Sequence, residues 1–137
     1  MMAWVVDTCI LLDIGLDDSE FAICSERLLR ALLPEGLLIC PISFVELAPA
    51  FSGERNAQEE FLFQLGVGHE EGWLMEDTVN ACEAWTRHIQ VRRRGQGAKR
   101  PIADVLIGAF ALRHQGLITR NTADFQKLFP TLPLLSP

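Results

Sequence analysis

The sequence predicts an α/β domain with a mainly parallel sheet covered by helices on both faces, and three observations predict it. Short apolar runs rich in strand-favouring residues alternate with longer stretches of helical periodicity. The segments joining successive runs are too long for hairpins, which favours parallel pairing through crossovers. Acids stand just past the apolar runs at Asp7 and Asp124, where a parallel sheet gathers its functional groups into one crevice.

In chain order, residues 2–6 (MAWVV) read as a buried parallel strand ending at Asp7-Thr8. Residues 9–12 and the acidic turn Asp17-Asp18-Ser19 lead into a helix over 20–33, with Phe21, Cys24, Leu28 and Ala31 on its inner face and Pro34-Glu35-Gly36 stopping it. A second strand over 37–40 passes through Pro41 and Ser43 into a helix over 44–51, which Gly53 breaks. A helix follows over 56–65, with Phe61, Leu62 and Leu65 inward, and Trp73-Leu74-Met75 supply a third strand. Residues 79–94 read as a helix whose last turn is basic, as the helix dipole prefers, and Gly95-Gln96-Gly97 as a flexible connection.

The run RPIADVLIGAFALRHQGLITRNTADF, residues 100–125, is the most informative. Ile102, Val105, Leu106, Ala109, Phe110 and Leu112 keep helical spacing, while Ala103, Ile107 and Ala111 cover much of the other side. A helix buried nearly all round is costly for the one carboxylate it contains, Asp104, unless something neutralises it. A strand over 117–119, a polar turn, a short helix over 125–129 and an edge strand over 132–135 complete the chain.

Length and composition set outer bounds. The 137 residues, 49% apolar and 22% charged, suit one domain spanning 1–137 with a real core. Residues 1–14 carry Asp7 and Asp13 and lack a basic leader, and no apolar run matches a membrane span, so a cytoplasmic protein without membrane contact is expected. Cys9, Cys24, Cys40 and Cys82 are scattered and read as small buried residues in a reducing compartment. His69, His88 and His114 are isolated and read as surface or helix-end residues, and Trp4, Trp73 and Trp85 as core. The net charge of −6 argues against a polyanion partner, yet Arg92, Arg93, Arg94, Lys99 and Arg100 form a basic stretch that an RNA backbone could use. No Gly-rich phosphate loop, dinucleotide fingerprint or G-x-S-x-G elbow is present.

The chemistry rests on four carboxylates at comparable places: Asp7, Glu46, Asp104 and Asp124. Singly, three have structural explanations. Asp7 suits a turn, Glu46 completes a capping box with Ser43, and Asp124 can start the short helix. Jointly, a parallel sheet puts all four on one edge, where like charges raise one another's pKa values unless cations neutralise them. Hard oxygen donors select Mg²⁺ or Mn²⁺. Such a cluster suits phosphodiester hydrolysis, with one ion lowering the pKa of an attacking water and a second stabilising the leaving oxygen.

Four motifs, V-V-D-T-C, S-F-V-E, I-A-D-V-L-I-G-A-F-A-L and L-I-T-R-N-T-A-D-F, occur in this order and together resemble the PIN domain. The chain's compact length resembles the VapC-type toxins of toxin–antitoxin pairs. The resemblance implies a three-layer α/β/α sandwich and Mg²⁺- or Mn²⁺-dependent endoribonuclease chemistry leaving a 5′-phosphate and a 3′-hydroxyl. It implies Asp7, Glu46, Asp104 and Asp124 as metal-site acids and Thr119 as the polar residue steadying the site, with Thr8 and Asn121 as weaker candidates. It also implies an RNA substrate, a cognate antitoxin and a homodimer. The acidic balance and the extra acid Asp13 depart from the family pattern and bear on the RNA-binding surface. The rivals are a non-catalytic PIN-like module that binds RNA or protein, and a receiver-like phosphoacceptor domain. The latter fits poorly, because Arg120 stands where a lysine would be wanted.

Overall fold

A computed structural model describes residues 3–93 and 101–137 of the chain. Its elements run β1 (Trp4–Val6), α1 (Thr8–Gly15), α2 (Ala22–Leu32), β2 (Leu37–Leu38), α3 (Pro41–Leu47), α4 (Arg55–Leu65), β3 (Val67–Gly68), α5 (Met75–Arg93), α6 (Ile102–Leu112), β4 (Gly116–Ile118), α7 (Thr122–Leu128) and β5 (Leu134–Leu135). Short 3₁₀ turns occupy Leu33–Glu35 and Ala48–Phe51.

The five strands pair in the order β3-β2-β1-β4-β5, every pair parallel. Helices cover both faces, giving a three-layer α/β/α sandwich. The two-residue period of a strand explains the division. Val5 faces one core with Val105, Phe110, Phe125 and Ala84, from α5, α6 and α7. Trp4 and Val6 face the other, with Ile10, Leu29, Leu47 and Leu62 from α1 to α4. β1 and β4 are neighbours although three helical crossovers separate them in sequence, so the strand order reverses between them. In open parallel sheets ligands bind beyond the carboxyl ends of the strands at such a reversal.

Several sequence expectations need correction. A helix, α1, starts at Thr8, where the sequence suggests only a connection; Asp7 caps it by accepting from the Thr8 amide. In α2 the inner face is Ala22, Ser25 and Leu29, while Cys24 and Ala31 are exposed. The helix expected from 44 begins at Pro41, whose missing N–H suits a first helical position. Residues 73–75 form no strand. The Trp73 indole donates to Thr78 Oγ1 (2.7 Å) and the Leu74 amide to Asp77 Oδ2 (3.0 Å), so the segment leads into α5, and the strand lies at Val67–Gly68. Of the cysteines, Cys40 is buried, Cys9 half-buried, and Cys24 and Cys82 exposed; all are free thiols. His88 and His114 are buried rather than on the surface. The connection expected at 95–97, and Arg94, Lys99 and Arg100 of the basic stretch, lie outside the described residues. No described helix is long and apolar enough to cross a membrane.

Candidate acidic site at the carboxyl edge of the sheet

β1 delivers Asp7 to the crevice as the residue after its last paired position, and the Asp7 amide donates to Ile118 O of β4 (2.9 Å). The Asp7 side chain is 4% exposed and fully partnered. Oδ1 accepts from the Thr8 amide (2.8 Å), and Oδ2 from Thr119 Oγ1 (2.7 Å) and the Cys9 thiol (3.4 Å). Thr119 follows β4, is completely buried, and is held in turn by the Asn121 amide, which donates to its Oγ1 (3.0 Å). Asn121 thus enters through its backbone.

Glu46 arrives from α3. Thr8 Oγ1 donates to Glu46 Oε1 (2.6 Å) and stands 2.9 Å from Ser43 Oγ. The capping-box alternative for Glu46 therefore falls: α3 starts at Pro41, so Ser43 is inside the helix, and the pair meets across Thr8 of another helix. Asp104 and Asp124 sit in the first turns of α6 and α7, where the helix dipole favours negative charge. Asp104 is half-buried and Asp124 exposed.

The electrostatics tie these positions together. Burial pushes the Asp104 carboxyl up to about 6, and the charges of Asp7, Asp124 and Glu46 add to the shift. Burial likewise raises Asp7, with a smaller contribution from Glu46, against the lowering effect of the Thr119, Cys9 and Thr8 hydrogen bonds. Burial and the adjacent Asp7 push the Cys9 thiol up to about 11, so it stays neutral and donates to Asp7. Asp13, the extra acid, is withdrawn from this group. Arg120 grips it with Nε to Oδ2 (2.7 Å) and Nη2 to Oδ1 (2.9 Å), and lies over the Phe21 ring.

The donors present are carboxylate and hydroxyl oxygens, the hard set that suits Mg²⁺ or Mn²⁺. Among the described residues no three His, Cys, Asp or Glu side chains stand close enough to hold one ion as they are placed. Mg²⁺ commonly uses one or two protein carboxylates and completes its octahedron with water and substrate phosphate. The acids present fit that mode, and a bound cation would relieve the repulsion that lifts Asp104.

Thr8 and Ser43 link two of the acids more directly than their sequence positions suggest. The i, i+3 spacing of Ser43 and Glu46 is the visible signal, but it indicates a cap rather than a bridge to the start of α1.

The family model described as PIN domain matches residues 4–128. Among solved structures, a chain of VapBC-1 from nontypeable Haemophilus influenzae is similar with a TM-score of 0.70 at 20% identity, covering 98% of each chain. A chain of VapBC2 from Rickettsia felis, bound to a DNA fragment from its promoter, is similar with a TM-score of 0.66 at 19% identity, again covering 98% of each. No curated protein matches the sequence.

Proposed function

Since this chain belongs to the PIN domain family, we propose that it is a metal-dependent endoribonuclease, the toxin of a VapC-type toxin–antitoxin pair, with Asp7, Glu46, Asp104, Asp124 and Thr119 as its working residues. One arrangement supports the proposal: Thr8 joins Asp7 to Glu46 through its amide and hydroxyl, Asp104 and Asp124 line one cavity, and the charges of Asp7, Asp124 and Glu46 add to the effect of burial on Asp104.

Asp7, Glu46, Asp104 and Asp124 would hold Mg²⁺ or Mn²⁺, which supplies a Lewis acid for the scissile phosphate and an acidified water. The chain's own part is positioning. Thr119 and the Thr8 amide fix the Asp7 carboxylate, and the Thr8 hydroxyl fixes Glu46. Both arrangements exist before substrate arrives, so little reorganisation is needed on binding. Above pH 6 Asp104 is a carboxylate even without a cation; below it the group holds a proton and is a poorer ligand.

The partners in this reading are an RNA substrate, a cognate antitoxin and a second copy of the chain. The similarity to chains of VapBC assemblies supports the antitoxin. The exposed apolar side chains Leu16, Ile23 and Phe63 offer surface for protein contacts.

The test is cleavage of RNA by purified Asp7→Asn and Asp104→Asn proteins with Mn²⁺. Both are expected to lose at least about 10²-fold in rate while keeping their circular dichroism, in line with removal of a charged group from a preorganised site. Wild-type products should carry 5′-phosphates. Undiminished cleavage by folded Asp104→Asn protein overturns the assignment. The spacing of the acids also favours a second reading, a PIN-like module that binds RNA or protein without cutting. Calorimetric titration with Mn²⁺ separates the two, because only the nuclease has an Asp7-dependent site.

A further inference from the structure

A cavity of about 500 Å³ lies between α5 and the helices α6 and α7, and Asp104 and Asp124 form part of its wall. Its size falls in the ~300–1,000 Å³ range of small-molecule sites. The rest of the lining combines two cations, Arg87 and Lys127, with an apolar surface that includes Val91 and Leu128. Arg87 is set in place beforehand: its Nη2 donates to Leu128 O (2.9 Å), tying α5 to the end of α7.

The ring of His88 also lines the cavity. It is 8% exposed, and its Nε2 is buried with no hydrogen-bond partner among the described residues. A histidine buried at a cavity wall offers an occupant a polar ring edge amid apolar surface.

Simpler ligands leave part of this lining unexplained. A metal ion accounts for the carboxylates only, inorganic phosphate for the cations only, and an apolar ligand for Val91 and Leu128 only. A nucleotide accounts for three of these features at once, with a phosphate for the cations, a flat base for the apolar wall and polar base edges for the imidazole, and leaves the carboxylates to the adjoining acidic site. Resting on the nuclease reading of the adjoining acids, we propose that this cavity takes one unstacked nucleotide of single-stranded RNA next to the bond that is cut. The phosphate lies on Arg87 and Lys127, and the base packs on Val91 and Leu128 within reach of His88. Arg87 and Lys127 then offset, for the incoming strand, the negative field of Asp104 and Asp124. The base must leave its stack to enter, which favours unpaired over duplex RNA.

The test uses the full chain in EDTA, titrated with nucleoside 5′-monophosphates, nucleosides and inorganic phosphate and followed by amide NMR shifts. Monophosphates are expected to bind more tightly than either half alone. Lys127→Ala and Arg87→Ala should each weaken them about ten-fold. Lys127, exposed and without a structural hydrogen bond among the described residues, is the variant whose folding is safest. His88→Phe should change the ranking among the four bases while leaving phosphate binding alone. Equal affinity for inorganic phosphate and nucleotides, or unchanged nucleotide affinity in both cation variants, overturns the proposal. A parallel RNA cleavage assay with Mn²⁺ keeps the two readings apart. Cleavage without nucleotide binding removes the cavity assignment and leaves the nuclease. Nucleotide binding abolished by Lys127→Ala in a protein that cuts nothing supports the cavity and removes the nuclease.

Discussion

Asp104 carries a proton in the folded chain under conditions where an ordinary aspartate has lost it. Its carboxyl is raised from the usual 3.8 to about 6, by burial first and then by Asp7, Asp124 and Glu46. Between those two values the folded protein binds more protons than the unfolded chain, so metal-free stability falls as pH rises through this window and stays lower above it. Asp104→Asn removes that cost. We expect the variant, in EDTA, to be more stable than wild type at pH 7 by roughly 1 kcal/mol, the full shift being discounted for the half-exposed position. The two should be equal near pH 3.5, where both side chains are neutral. Thermal melts across pH check this, and a difference independent of pH would refute it. Asp104 was legible in the sequence because its neighbours on both sides are apolar. The hydrogen bond from Thr119 to Asp7 was not, since 112 positions separate the two and only the β1–β4 pairing closes the gap.

Helix α6 shows how an element's sequence is dictated by what it packs against. Its run of small and branched apolar residues lets it lie against α5 and close to Phe129. Gly108 marks the closest approach, for a Cβ there would collide with the Phe129 ring. Gly108→Ala is therefore expected to destabilise by about 1–3 kcal/mol through overpacking, even though alanine is the better helix former. Urea melts measure this, and a neutral or stabilising result would show that Phe129 yields freely. The periodicity of α6, α4 and α5 was readable because each is long enough to repeat its apolar face. The strands at Leu37–Leu38 and Val67–Gly68 have two residues each, too few for any period to show. The misassigned strand at 73–75 is apolar for a different reason. It crosses the start of α5, where Asp77 caps the Leu74 amide and takes the guanidinium of Arg113 through both its oxygens (3.0 Å each).

Across the whole molecule, the parallel sheet converts sequence distance into proximity. β1 and β4 lie side by side, so groups after residue 6 and after residue 118 share one crevice, and the helices entering and leaving it add Asp104 and Asp124 at their first turns. We propose that the chain is one cooperative unit. A single calorimetric transition is expected, with the van't Hoff and calorimetric enthalpies equal. Saturating Mn²⁺ should raise its midpoint, by about 2.7 kcal/mol of added stability at a hundred times Kd, and the rise should vanish in Asp7→Asn. Two transitions, or a metal effect indifferent to Asp7, would count against this account.

By itself the sequence determined the α/β class and the longer helices and singled out Asp104, because hydrophobic periodicity and a carboxylate in an apolar run are local properties of neighbouring residues. Only the tertiary structure decided that Glu46 is held through Thr8, that Asp13 is neutralised by Arg120, and that Arg87, His88 and Lys127 share a cavity with Asp104. Those relations join residues on different elements. They exist only once the sheet order and the packing of α5, α6 and α7 are set, and no spacing along the chain encodes them.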